Sequence, residues 1–169
     1  ANAVKELVLA ALLISSRKIT EAAEWTKTLK GQPDMDKLVE GGKKKFAGPE
    51  ITGKKLGVIG LGAIGVLVAN AALALGMEVI GYDPFLSVHS AWHISGQVEL
   101  AKSVEEVVTQ SDYVTIHVPQ NDSTKNMINA ELLKKFKTGA RLINLARGGL
   151  VDPAAVAAAL DEGILSKYV

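Results

Sequence analysis

The sequence contains no cysteine, and that absence removes disulfides, thiol catalysis and every zinc site that depends on sulfur. Stability must come from packing. An excess of one charge is also missing. Against 19 Lys+Arg stand 18 Asp+Glu, a formal net charge of +1, so no strong field recruits nucleic acid or an anionic membrane. Long hydrophobic runs are absent too. The run from Leu7 to Ile14 falls short of the roughly 18 residues of a membrane span. It does not read as a secretory leader either, because Lys5-Glu6 puts an acid before it and Ser15-Ser16-Arg17 offers no small-residue cleavage site. Neither a nucleic-acid partner nor a membrane partner is expected, and a cytoplasmic setting is.

The 169 residues, 48% of them hydrophobic and 22% charged, suffice for one domain with a sizeable core but not for two full-sized ones. The chain opens on Ala1 rather than Met and stops at Lys167-Tyr168-Val169, which reads like the first residues of a strand. A piece of a longer protein is therefore expected.

Val4, Leu7, Val8, Ala11 and Leu12 fall at helical spacing, and Leu9, Leu13 and Ile14 make the other side apolar as well. A helix over 3–14 is expected to be buried on more than one side, either as an ordinary core helix or against a neighbouring domain or subunit. Thr20 followed by Glu21 to Leu29 predicts a second helix within residues 1–30. The stretch from Gly31 to Gly53, with Pro33, Gly41-Gly42, Lys43-Lys44-Lys45 and Gly48-Pro49, reads as a connector, its triple lysine a solvated loop.

From residue 54 the pattern changes to short apolar runs alternating with helical segments. Strands are predicted at Leu56 to Ile59, Glu78 to Tyr82, Val98 to Leu100, Tyr113 to Ile116 and Arg141 to Leu145. Between them, helices are predicted from Ala63 to Leu75 before Gly76, from Ser103 with a Glu106 capping box to Thr109, and from Glu131 to Phe136 behind Asn129. A last helix opens at Asp152-Pro153 and ends before Gly163. Near-continuous apolar strands alternating with helices call for an α/β doubly wound parallel sheet of Rossmann type, here truncated before its last strands. In the order 3-2-1-4-5 the strand at 56–59 lies beside that at 113–116, and ligands bind beyond the carboxyl ends of the strands at that switch point.

The motifs fall at those ends. Gly60-Leu61-Gly62-Ala63-Ile64-Gly65 follows the first strand and opens a helix. In that context Gly60 permits a tight turn, Gly62 lets the backbone approach a pyrophosphate, and Gly65 lets helix and strand pack closely. The N–H groups of Ala63 and Ile64 are the expected pyrophosphate donors. Asp83 follows the second strand, 23 residues beyond Gly60 and close to the spacing of about 20 expected of an acid that accepts both adenosine-ribose hydroxyls and repels a 2′-phosphate. NAD is thus expected over NADP. His117-Val118-Pro119 and Asn144-Leu145-Ala146-Arg147-Gly148-Gly149 end the fourth and fifth strands. An arginine before two glycines has a fork suited to a carboxylate, although by position alone Arg147 could equally cap a helix or pair on the surface.

Together, Leu56 to Gly65, Asp83-Pro84, His117-Val118-Pro119-Gln120 and Asn144 to Asp152 resemble the NAD-binding domain of the D-isomer-specific 2-hydroxyacid dehydrogenases. The opening, Ala1 to Val8, is similar to the helix with which that domain begins. The resemblance implies hydride transfer between NAD and a D-2-hydroxy acid. It places Ala63 and Ile64 at the pyrophosphate, Asp83 at the ribose, and Val118 with the backbone of Leu145 and Ala146 along the nicotinamide. It makes Arg147 the catalytic arginine, binding the substrate carboxylate and polarising its carbonyl. It also implies that the acid/base histidine, its glutamate and the substrate domain lie outside this chain, which alone is then inactive, and that the first helix forms a homodimer contact. The rivals are an NAD-sensing module that recruits a protein partner, a hydrolase that keeps NAD as an internal redox agent, and a glyoxylate or hydroxypyruvate reductase. His117 receives a lining role at most. His89 and His93 fall in a surface helix, and no pair of histidines or acids has a spacing that argues for a metal.

Overall fold

A computed structural model describes residues 1–169. Six strands, β1 (Lys55–Ile59), β2 (Glu78–Tyr82), β3 (Glu99–Leu100), β4 (Tyr113–Ile116), β5 (Ala140–Ile143) and β6 (Leu165–Tyr168), pair in parallel in the order β3-β2-β1-β4-β5-β6. The order expected for the first five strands is the one observed, with β1 between β2 and β4. A sixth strand is complete enough to pair. Where Lys167 reads as the start of a strand, β6 is already formed from Leu165 and pairs with β5 through Ala140↔Leu165 and Leu142↔Tyr168.

Each buried strand sends alternate residues to opposite faces. On one face Leu56, Val58, Val79 and Ile143 meet α1 (Asn2–Ser16) and α4 (Ala63–Ala74), through Val8, Leu12, Val66 and Ala69 among others. On the other, Ile80, Val114, Ile116 and Leu142 meet α6 (Val104–Gln110), α7 (Ala130–Leu133) and α8 (Pro153–Asp161). Both faces are covered, which is why these strands carry no polar alternation. No helix is long and apolar enough to cross a membrane.

Three further elements depart from what the sequence predicts. The connector is not structureless: it holds α3 (Met35–Gly42) and a 3-10 turn over Lys43–Phe46. The reason is Trp25, on α2 (Ile19–Thr28). Its indole occupies the space a Cβ at Gly42 would need and stacks at 5.2 Å from the Phe46 ring. Gly42 is thus a site of close approach rather than a helix breaker. Helix α7 is shorter than expected, because the chain continues through Lys135 and Phe136 in i→i+3 turns. Helix α1 buries only one side against the sheet, including Val8, Ala11 and Leu12, and leaves Leu7 59% exposed with Leu13 and Ile14 also exposed.

Helix α1 is moored by a buried polar cluster. Ser16 Oγ donates to the Leu12 carbonyl at 2.7 Å and lies 2.6 Å from the Tyr113 hydroxyl. Its single proton being used, the tyrosine O–H is the donor of the second bond. Arg141 Nε donates to the Ser15 carbonyl at 2.9 Å, and its guanidinium lies 5.1 Å from the Tyr113 ring centre. Tyr113→Phe removes the donor without opening a cavity and should lower the unfolding free energy by about 1 kcal/mol. Urea denaturation of parent and variant checks this; an unchanged midpoint would show that the hydroxyl pair does not moor the helix.

Candidate functional site

The parallel register aligns the carboxyl ends of the three central strands, with Ile59 opposite both Tyr82 and Ile116. The next residues, Gly60, Asp83 and His117, therefore leave the sheet side by side. The turn is tied at once, since Gly60 N–H donates to the Tyr82 carbonyl at 2.8 Å and His117 N–H to the Ile59 carbonyl at 2.7 Å. Gly60 adopts φ +96°, and a Cβ there would stand 2.7 Å from the His117 carbonyl oxygen. A Cβ at Gly65 would collide with the Gly60 carbonyl oxygen, whereas one at Gly62 would meet nothing within 4 Å. Two of the three glycines thus let the chain close on itself, and the third leaves open space in front of α4.

That open space faces an unfinished helix end. No side chain caps the first turn of α4, Ala63 to Gly65, and the Ile64 and Gly65 N–H groups donate to no backbone carbonyl. The next helix, α5 (Val88–His93), is capped by Ser87, and α6, α7 and α8 are capped by Ser103, Asn129 and Asp152; α1, α2 and α3 lack a side-chain cap as α4 does, but only α4 begins between the two strand-end motifs. Free amides and the positive end of a helix dipole favour an anion there.

Asp83 is half-buried beside this end. Its Oδ2 accepts the Leu61 N–H and its Oδ1 the Phe85 N–H, both at 2.8 Å. The carboxylate thereby fixes the glycine turn to the end of β2, and each oxygen keeps a further lone pair for a hydroxyl. It lines a cleft of about 440 Å³ with Gly62, Tyr82, Phe85 and Val118. A second cleft, about 410 Å³, is lined by Val4, Ile64, Val118, Leu145, Ala146 and Arg147. His117, Val118 and Pro119 border both clefts, and the start of α4 lies between them, with Gly62 on one side and Ile64 on the other. Such a surface fits an extended ligand with an anionic middle and a polyol at the Asp83 end.

Arg147 is exposed at the second cleft, its Nη1 donating to the Ala146 carbonyl at 2.9 Å. Asn144 shapes its loop, accepting the Ala146 N–H through Oδ1 at 3.1 Å and donating through Nδ2 to the Arg147 carbonyl at 2.9 Å. The guanidinium has no acidic partner in the chain and is free to take one from a ligand. Burial pushes the His117 imidazole down to about 4, so it is neutral near pH 7, with Nε2 2.9 Å from the Thr115 hydroxyl. The sequence reading assigned no role to Thr115, to the bracing amide of Asn144, or to the loop where Asn121 Oδ1 accepts the Ser123 and Thr124 N–H groups at the wall of the first cleft. The Asn-Asp-Ser-Thr run that builds this loop is a turn signal.

Comparison with known proteins identifies the family and the fold. The family model described as D-isomer specific 2-hydroxyacid dehydrogenase, NAD binding domain, matches residues 9–169. The chain is 39% identical over 160 residues to a D-3-phosphoglycerate dehydrogenase of Methanocaldococcus jannaschii, covering 95% of this chain and 28% of that protein. It is 49% identical over 116 residues to a glycerate dehydrogenase of Methylorubrum extorquens, covering 69% of this chain and 33% of that protein. A solved structure from work on the pyruvate reductase of Chlamydomonas reinhardtii superposes with a TM-score of 0.82 at 31% identity, over 98% of this chain and 45% of that one. The chain thus spans about a third or less of the length of these curated relatives.

The depressed His117 pKa has a consequence for stability. Between about 4 and the ordinary 6.5 the unfolded chain binds more protons than the native one, so stability rises with pH across that window. It is fully present above 6.5 and is lost as pH falls towards 4, by roughly 3 kcal/mol. Urea unfolding at pH 7 and at pH 4.5 should therefore show a larger acid loss for the parent than for His117→Gln. Equal losses would contradict the account of a buried, neutral imidazole.

Proposed function

Because the chain belongs to the D-isomer specific 2-hydroxyacid dehydrogenase family, as its NAD-binding domain, we propose that the two clefts and the bare helix end between them are where NAD lies. In this reading the Asp83 carboxylate accepts the adenosine ribose hydroxyls while keeping its own two amide bonds. Gly62 admits the pyrophosphate to the N–H groups of Ala63, Ile64 and Gly65. Val118, Leu145 and Ala146 wall the nicotinamide side. The observation that carries the proposal is the uncapped start of α4, opened by Gly62 and flanked by Asp83. The fixed negative charge of Asp83 repels a 2′-phosphate, which favours NAD over NADP.

The hydride is supplied or taken up by the bound dinucleotide. The protein's own part is orientation and charge. Arg147 grips the carboxylate of a D-2-hydroxy acid and polarises its oxygen at C2, with Asn144 holding the loop that presents it. His117 stays neutral and lines the site; in this reading a histidine outside these 169 residues moves the proton. The relative matched over 95% of the chain favours 3-phospho-D-glycerate as the substrate of the whole enzyme, the first step of serine biosynthesis. The higher identity to a glycerate dehydrogenase over a shorter span supports a second reading, reduction of hydroxypyruvate or glyoxylate. We also assign the exposed apolar side of α1, with Leu7, Leu13 and Ile14, to a homodimer contact.

Fluorescence titration with NADH separates binding from folding. Gly62→Ala has room for its methyl group and should remain folded while losing at least about tenfold in affinity, the group standing where the phosphates must approach. Gly65→Ala should fail at the level of stability, because its methyl group meets the Gly60 carbonyl. Asp83→Ala should narrow the preference for NADH over NADPH. Undiminished NADH affinity in folded Gly62→Ala would overturn the proposed location of the pyrophosphate.

A further inference from the structure

Outside the clefts, the chain's other two histidines, whose spacing in the sequence does not argue for a metal, are brought together by the helix α5, four residues apart. Their ring centres are 4.3 Å apart and the planes are tilted by 40°. His93 Nδ1 lies 2.7 Å from the His89 carbonyl oxygen. A carbonyl can only accept, so Nδ1 carries the proton and Nε2 keeps its lone pair. A backbone acceptor that fixes the tautomer in this way is the usual support of a metal-binding imidazole.

The helix that carries the pair is held at both ends. Ser87 Oγ accepts the Ser90 N–H at 3.0 Å. At the other end Asn70 of α4 donates through Nδ2 to the His93 carbonyl at 2.8 Å and accepts the Ser95 N–H at 2.9 Å. The histidines are therefore set on a braced turn, where little ordering is needed for both to reach one ion.

We propose that His89 and His93 form a bidentate site for an imidazole-seeking divalent transition-metal ion, best suited to Cu²⁺. The 4.3 Å between the ring centres lies within the reach of two imidazoles on one ion, and Cu²⁺ heads the affinity order of the first-row divalent ions at nitrogen ligands. No third His, Cys, Asp or Glu closes on the pair, so water fills the remaining positions and the site is open. Neither histidine lines the clefts assigned to NAD, and the site is independent of that reading.

Titration of this chain with Cu²⁺ by calorimetry, with electron paramagnetic resonance of the complex at one equivalent, tests the proposal. The expected result is one bound ion with hyperfine splitting from two imidazole nitrogens. His89→Gln and His93→Gln, both exposed substitutions, should each weaken binding by at least about tenfold, through loss of the chelate. Binding that neither variant changes, as at the terminal amine, would overturn the proposal, and so would a spectrum with one imidazole nitrogen.

Discussion

The arrangement of this domain depends on a helix that begins without a cap. Helix α4 starts three residues after Gly60, where the chain leaves the central strand, and its first amides are left without a partner. Leaving buried or half-buried donors unpaired is costly unless a ligand takes them, and four other helices of the chain receive a capping side chain. The rest of the site is arranged about that end. Register brings Asp83 and His117 to either side of it, the sheet order puts a cleft on each flank, and the collision a Cβ at Gly65 would cause fixes how closely helix and turn approach.

In the proposed site Asp83 does more than offer lone pairs to a ribose. Its two amide bonds, to Leu61 and Phe85, make it the clasp between the glycine turn and β2, so affinity and local order are coupled through one carboxylate. Arg147 differs in kind. It is exposed, held only by its own loop, and its charge is unmatched inside the chain, which is what its proposed role requires. His117 completes the contrast, since burial keeps it neutral and suits it to line an apolar wall beside Val118.

Much of this was legible in the residues. The strand order, the turn at Gly60, the end of α4 before Gly76 and the Asp152-Pro153 start of α8 follow from local signals that tertiary contacts reinforce. What escaped the sequence was set by distant partners. Gly42 reads as a breaker until Trp25 is seen lying over it, and β6 begins earlier than Lys167 because Leu165 finds Ala140 across the sheet. The mooring of Ser16 to Tyr113 spans nearly a hundred positions. The site glycines were legible for a related reason: backbone constraint is local, whereas the bonds that turn Asp83 into a clasp and Asn144 into a brace join residues whose meeting only the folded loops decide.

The most direct measurement is a two-dimensional ¹H–¹⁵N spectrum of the labelled chain with increasing NADH. If the bare end of α4 holds the pyrophosphate, the amide signals of Ala63, Ile64 and Gly65 shift most and saturate together with those of Leu61 and Phe85, which the Asp83 carboxylate binds. Saturable shifts confined to other parts of the chain, with those five amides unmoved, would contradict the account.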